Sequence, residues 1–127
     1  GTLPYMACEL LRMPRPRATA RALAAVDVCA LGRIIVVAST GREPWEGADE
    51  AVVRYNVQGG ELPPGLFDDA GDTIPLGMER PDLRRALGAV VRRCCDEDWR
   101  RRPPAGDVVG DLEALAALLP TGGEEKG

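Results

Sequence analysis

The chain has 127 residues, 45% of them hydrophobic and 28% charged, with a formal net charge of −4. A chain of this size can form one domain with its own core, and its acidic balance gives no electrostatic basis for nucleic acid or an anionic membrane as a main partner. It has no histidine, the commonest general base and metal ligand, and its one lysine is Lys126, so we expect neither a self-sufficient hydrolase nor a metalloenzyme.

The first predicted element is a long helix. It follows a polar loop, RMPRPR at residues 12–17, and covers the apolar run ALAAVDVCALGRIIVVA. We predict a central buried helix over about residues 19–39, ended by Gly41 in the left-handed conformation. The run is nearly long enough to cross a membrane, but Asp27 and Arg33 lie inside it and each is costly in hydrocarbon, so a soluble domain fits it better.

Three shorter helices are predicted after it. An amphipathic helix over residues 47–57 is closed by two glycines, and residues 61–80 carry proline, glycine and aspartate at the spacing of turns, which predicts a loop. Two stripes of apolar residues at i, i+4, i+7 and i+11 then predict helices over residues 81–95 and 104–118. The stripes are Leu83, Leu87, Val90 and Cys94, and Val108, Leu112, Leu115 and Leu119. No segment alternates with a period of two, so we predict an all-α fold.

The four cysteines match neither a metal site nor a disulfide framework. They are Cys8, Cys29, Cys94 and Cys95. None lies in a C-x-x-C pair, no histidine accompanies them and no secretory signal is visible. We therefore predict reduced, structural thiols in a cytoplasmic protein.

Four segments resemble, in order, motifs from the C-terminal part of the eukaryotic protein kinase domain. GTLPYMACELL at residues 1–11 resembles the G-T-x-x-Y-M-A-P-E-L end of the activation segment, and DVCALG at residues 27–32 resembles D-V-W-x-L-G. TGREPW at residues 40–45 resembles T-G-x-x-P-W, and DWRRRP at residues 98–103 resembles D-P-x-x-R-P. Any one of these is weak, but four in the family's order with helices between them indicate a serine/threonine kinase of the tyrosine-kinase-like group.

The resemblance implies that residues 1–118 are part of the helical C-terminal lobe of a kinase domain, followed by a polar tail over residues 119–127. Because the chain opens within a motif, we expect it to be a piece of a larger domain. The Gly-rich loop, the Lys–Glu pair, the H-R-D loop and the D-F-G aspartate are absent, so no catalytic, cofactor-binding or metal-binding residue is predicted here. ATP and Mg²⁺ would belong to the parent kinase, and this chain alone is predicted to be inactive.

The resemblance also implies roles for six residues. Gly1, Thr2 and Tyr5 match a substrate-docking loop, which makes a protein substrate one expected partner and the missing upstream kinase segment the other. Glu9 and Arg102 match a buried ion pair that ties the activation segment to the last helices. Asp27 matches an aspartate that anchors the catalytic loop by accepting backbone hydrogen bonds, and we expect it to be underpaired here.

The sequence departs from the family pattern at three positions. Cys8 replaces the proline of A-P-E, Cys29 replaces a large tryptophan, and Trp99 replaces a proline. These changes keep a second hypothesis open, a non-catalytic, pseudokinase-like helical module descended from a kinase lobe, in which the RMPRPR loop binds a partner. An unrelated helical bundle is a third possibility.

Overall fold

A computed structural model describes residues 3–63 and 80–119. Within these two ranges the chain forms four α-helices and no strand, so the predicted all-α fold is confirmed. The helices are α1 (Ala20–Thr40), α2 (Glu50–Gln58), α3 (Pro81–Cys94) and α4 (Ala105–Ala116). Three short 3₁₀ turns accompany them: a first turn (Leu3–Tyr5), a second turn (Cys8–Leu11) and a third turn (Trp99–Arg101).

Both ends of α1 are set by local chemistry. The Thr19 side chain accepts a hydrogen bond from the Ala22 N–H (3.1 Å), which satisfies a donor in the first turn of the helix. Gly41 has a φ of 75° and donates its N–H to the Val37 carbonyl at 2.8 Å. The predicted left-handed cap is therefore confirmed, and the helix lies one residue later than the predicted 19–39.

Helix α2 begins at Glu50 rather than at the predicted residue 47. The reason is the backbone just before it, because Trp45 and Gly47 have φ values of 55° and 87°, which no right-handed helix accommodates. Helices α3 and α4 lie close to their predicted bounds. Most of the loop predicted over residues 61–80 lies outside the described residues.

The core lies where α1 packs on α3 and α3 packs on α4. A Cβ atom at Gly32 of α1 would lie 2.7 Å from Cys94 Cβ and 2.7 Å from Cys95 Sγ. A glycine in a helix interior costs about 1 kcal/mol relative to alanine. The close approach of α3 explains its presence here, since only a residue without a side chain lets α3 come so near.

Burial of α1 is one-sided. Its buried residues face α3, the first turn and the third turn, whereas Leu23 and Ile34 are 54% and 52% exposed on the other side. By length and composition α1 is the one described helix that could cross a membrane, and less than half of its most apolar stretch is buried. The protein therefore presents a partly apolar helix face, and Asp27 lies on it.

Candidate functional site

A buried ion pair joins the two ends of the described chain. Glu9 lies in the second turn and Arg102 directly after the third, and they are 8% and 7% exposed. Arg102 Nη1 donates to Glu9 Oε2 and Nη2 donates to Oε1, both at 2.7 Å. The planar guanidinium thus meets the carboxylate through two parallel hydrogen bonds, the strongest arrangement available to this pair.

The other donors of Arg102 are also used. Nε donates to the Asp96 carbonyl at 2.9 Å, Nη1 donates to the Ala25 carbonyl at 3.1 Å, and Nη2 lies 4.0 Å from Cys8 Sγ. Burial lowers the pKa of Arg102, but the hydrogen-bonded Glu9 carboxylate raises it, and the net shift is upward. One side chain therefore connects the second turn, α1 and the segment after α3.

A second buried arginine, Arg33 in α1, was not predicted as a site residue. It is 2% exposed, and its Nη1 donates to the Pro4 carbonyl in the first turn at 2.8 Å. Its Nε donates to Cys95 Sγ at 3.3 Å, and its guanidinium lies 5.1 Å from the centre of the Trp45 ring. Among residues 3–63 and 80–119, no carboxylate pairs with it.

The thiols around Arg33 ionise very differently. The Cys29 thiol donates a hydrogen bond to Cys95, and this bond, together with the positive charge of Arg33, outweighs burial and lowers the pKa of Cys95 to about 7. The same hydrogen bond, aided by burial, raises the pKa of Cys29. Burial raises the pKa of neighbouring Cys94 to about 11. All four cysteines are free and buried.

A groove lies between the first turn, the loop after α1 and α2. Its volume is about 440 Å³, and its floor includes Leu3, Met6, Trp45 and Val53. Its rim is mainly acidic and carries Glu43, Glu46 and Glu50 beside Arg54. An apolar floor with an acidic rim suits an extended segment that carries apolar and basic side chains.

The predicted docking-loop residues are only partly visible. Tyr5 closes the first turn, and partial burial, the charge of Glu43 and a hydrogen bond to Glu43 raise its pKa. Glu43 also lines the groove, so Tyr5 lies beside it. Gly1 and Thr2 lie outside the described residues.

Asp27 lies apart from the ion pair and the groove. It is exposed on α1, and within the described ranges its carboxylate has no hydrogen-bond or ion-pair partner. Likewise, the described residues contain no cluster of three or more His, Cys, Asp or Glu side chains that could hold a metal ion. Of the six predicted site residues, the structure brings Glu9 and Arg102 together and leaves Asp27 and Tyr5 at separate places.

Sequence reasoning missed Arg33 because it treated that residue only as a charge unsuited to a membrane. A usable signal was nevertheless present. Arg33 lies in the middle of the apolar run that was predicted to form a buried helix. A cation there needs acceptors, and the Pro4 carbonyl and the Cys95 sulfur supply them.

Comparison with known proteins gives a weak but extended similarity. The chain is 31% identical over 112 residues to the serine/threonine-protein kinase SSK22 of Saccharomyces cerevisiae. It is 27% identical over 110 residues to the mitogen-activated protein kinase kinase kinase MCK1 of Pyricularia oryzae. These alignments cover 87% and 86% of this chain but only 7% and 6% of the two relatives. No protein-family model matches the chain. The similarity indicates a region of a protein kinase domain.

Proposed function

We propose that residues 1–118 are the C-terminal part of the large lobe of a protein serine/threonine kinase domain. In the parent protein, ATP and Mg²⁺ are held by upstream motifs that this chain does not contain, and phosphate passes from ATP to a protein hydroxyl. This part supplies a substrate-docking loop and the helical scaffold beneath the active site. Cytoplasmic location and membership of the tyrosine-kinase-like group belong to the same proposal.

The observation that carries the proposal is the contact between Glu9 and Arg102. These residues lie in the first and last of the four kinase-like motifs, and the fold brings them to 2.7 Å in a buried, bidentate pair. An ion pair taken out of water is costly unless its hydrogen bonds are complete, and here every donor of Arg102 has an acceptor. Such a pair is suited to holding the docking loop on the lobe.

Two further features support a scaffold that acts with an upstream segment. The exposed face of α1 combines Leu23 and Ile34 with the unpartnered Asp27 carboxylate, a suitable acceptor for backbone N–H groups of an added loop. The acidic-rimmed groove lies beside Tyr5, where a docked protein segment would pass. A fragment with such a face should bind an apolar dye.

The test begins with the sequence upstream of Gly1 in the transcript. We expect an H-R-D-x-x-x-x-N motif and a D-F-G motif shortly before it, and phosphoryl transfer by the longer protein. In that protein, Glu46→Lys at the groove rim should raise KM for a protein substrate without changing KM for ATP, whereas Asp107→Lys, on the exposed start of α4, should change neither. An upstream sequence without either motif would exclude the enzyme.

The second candidate is a non-catalytic, kinase-derived interaction module. The exposed arginine-rich loop at residues 12–17 favours it, since Met13 is 86% exposed there beside Arg15 and Arg17. In this case the longer protein lacks phosphoryl transfer. Charge reversal at Arg15 and Arg17 should then abolish partner binding, while Glu46→Lys should leave it intact.

A further inference from the structure

Cys29, Cys95 and Arg33 form a buried polar cluster at the α1–α3 interface, and Arg33 also contacts Pro4 and Trp45, which line the groove. The cysteines are 1% and 4% exposed and the arginine 2%. The Cys95 thiol donates to the Cys29 carbonyl at 3.6 Å, and Arg33 Nε donates to Cys95 Sγ at 3.3 Å. The proposed kinase scaffold requires none of these three groups to react.

The cluster leaves Arg33 with a buried positive charge and no carboxylate to balance it in the described part of the chain. A buried cation is stable only when it is paired or fully hydrogen-bonded. The Pro4 carbonyl is a neutral acceptor, and the Trp45 ring adds a cation–π contact. The acidic group in direct contact is the Cys95 thiol, so ionisation of Cys95 would supply the missing negative charge.

Each protonation state of Cys95 has a partner. As a thiol, it donates to the Cys29 carbonyl at 3.6 Å. As a thiolate, it accepts from Arg33 and from the Cys29 thiol. The thiolate is the reactive form of cysteine, and a guanidinium beside it favours that form.

We propose that Cys29 and Cys95 are a redox-active pair, in which Cys95 reacts first with a small peroxide and Cys29 resolves the product as an intramolecular disulfide. The helices can come this close because position 32 is a glycine, which brings Cys95 Sγ against the backbone of α1 three residues after Cys29. This inference does not depend on the kinase proposal, because it requires only the packing of α1 on α3.

The chemistry balances with hydrogen peroxide as the oxidant. The Cys95 thiolate attacks one peroxide oxygen, an S–O bond forms, the O–O bond breaks, and the hydroxide released takes up a proton to become water. Cys95 is thereby oxidised by two electrons to a sulfenic acid and the peroxide is reduced. The Cys29 sulfur then attacks the Cys95 sulfur, the S–S bond forms, the S–O bond breaks, and the leaving oxygen departs as a second water with the Cys29 proton.

The other two cysteines provide internal comparisons. Burial raises the pKa of Cys94 to about 11, so it is almost entirely neutral near pH 7. Burial also raises the pKa of Cys8, whose thiol donates to the Glu97 carbonyl at 3.4 Å. Both should react more slowly than Cys95, although all four are buried.

The experiment oxidises the folded chain with a small excess of hydrogen peroxide at pH 7 and maps non-reduced tryptic peptides. Trypsin cleaves after Arg21, Arg33, Arg93 and Arg100, which isolates Cys29 in residues 22–33 and both Cys94 and Cys95 in residues 94–100. We expect these two peptides to be linked, and fragment ions to place the link on Cys95 in the unsubstituted chain. In Arg33→Gln the cleavage site at residue 33 is lost, so Cys29 lies in a peptide of residues 22–42. This variant should slow the linkage on the order of tenfold, because it removes the cation that favours the thiolate.

Cysteine variants and a bulky reagent complete the test. The link should persist in Cys94→Ser and disappear in Cys95→Ser, while Cys29→Ser should leave Cys95 as a sulfenic acid that dimedone captures. A bulky maleimide should label the folded chain far more slowly than the urea-unfolded chain. A link on Cys94, random oxidation of all four thiols, no linkage at all, or maleimide labelling as fast as in urea would each overturn the proposal.

Discussion

Two arginines are buried in this small protein to a similar extent, Arg102 at 7% and Arg33 at 2% exposure, but their charges are balanced in different ways. Arg102 has a carboxylate, two carbonyls and a sulfur around it. Arg33 has one carbonyl, one sulfur and an aromatic ring. The first charge is paired with a carboxylate, whereas the second contacts a thiol, which carries a negative charge only after it loses a proton.

The difference has consequences for what each residue can do. The bidentate pair with Glu9 makes Arg102 a structural connection between segments 93 residues apart. The Arg33 cluster responds to pH, because the protonation of Cys95 decides whether the buried cation has a counter-charge. The Glu9–Arg102 ion pair suits a structural scaffold. The Arg33–Cys95 contact suits a reactive site, because its charge balance depends on ionisation of the thiol.

The largest expected effect is on the Glu9–Arg102 ion pair. Arg102→Ala should lower the free energy of unfolding by about 3–5 kcal/mol, because it leaves the Glu9 carboxylate buried without a partner. The matched control is Arg100→Ala, two residues earlier and exposed, which should cost less than about 1 kcal/mol. Urea denaturation followed by circular dichroism measures both. Equal effects would mean that the Glu9–Arg102 contact contributes little.

The sequence predicted the helices well because their signals are local. Apolar stripes and terminal residues fixed α3 and α4 closely, and Gly41 fixed the end of α1. The start of α2 was three residues early, since the positive φ values at Trp45 and Gly47 depend on how that loop packs. The partly exposed face of α1 was also hard to foresee, because a uniformly apolar run does not show which side meets the core.

The residues of the candidate site were harder to predict than the helices from the residue types and their spacing in the sequence. Nothing in the triplet of residues 100–102 distinguishes the buried arginine from its exposed neighbours, and only the resemblance to kinases singled out Arg102. The Arg33 cluster depends on contacts between residues 62 apart in sequence, which no periodicity reveals. Long-range polar contacts of this kind follow from the packed fold rather than from any local pattern.

A medium effect is expected where the two helices approach most closely. Gly32→Ala should lower the free energy of unfolding by about 1–3 kcal/mol, because the added methyl group would overlap Cys94 Cβ and Cys95 Sγ. In Gly110→Ala of α4, the new Cβ meets nothing within 4 Å, so this control should gain about 0.5–1 kcal/mol from better helix propensity. Thermal or urea unfolding compares them. A stabilising Gly32→Ala would show that the helices are farther apart than described.

The smallest expected effect concerns the Arg33–Cys95 contact and is measured as the pH dependence of the free energy of unfolding. The pKa of Cys95 is about 7 in the folded chain, below the ordinary thiol value of about 8.5, so the unfolded chain binds more protons between these values. Relative to Cys95→Ser, the unsubstituted chain should therefore gain about 1 kcal/mol in the free energy of unfolding from pH 6 to pH 8, and lose it again as pH falls through 7. Cys94→Ser should keep this gain and Arg33→Met should reduce it. Parallel stability curves for the unsubstituted chain and Cys95→Ser would show that the charge of Arg33 is balanced without a thiolate.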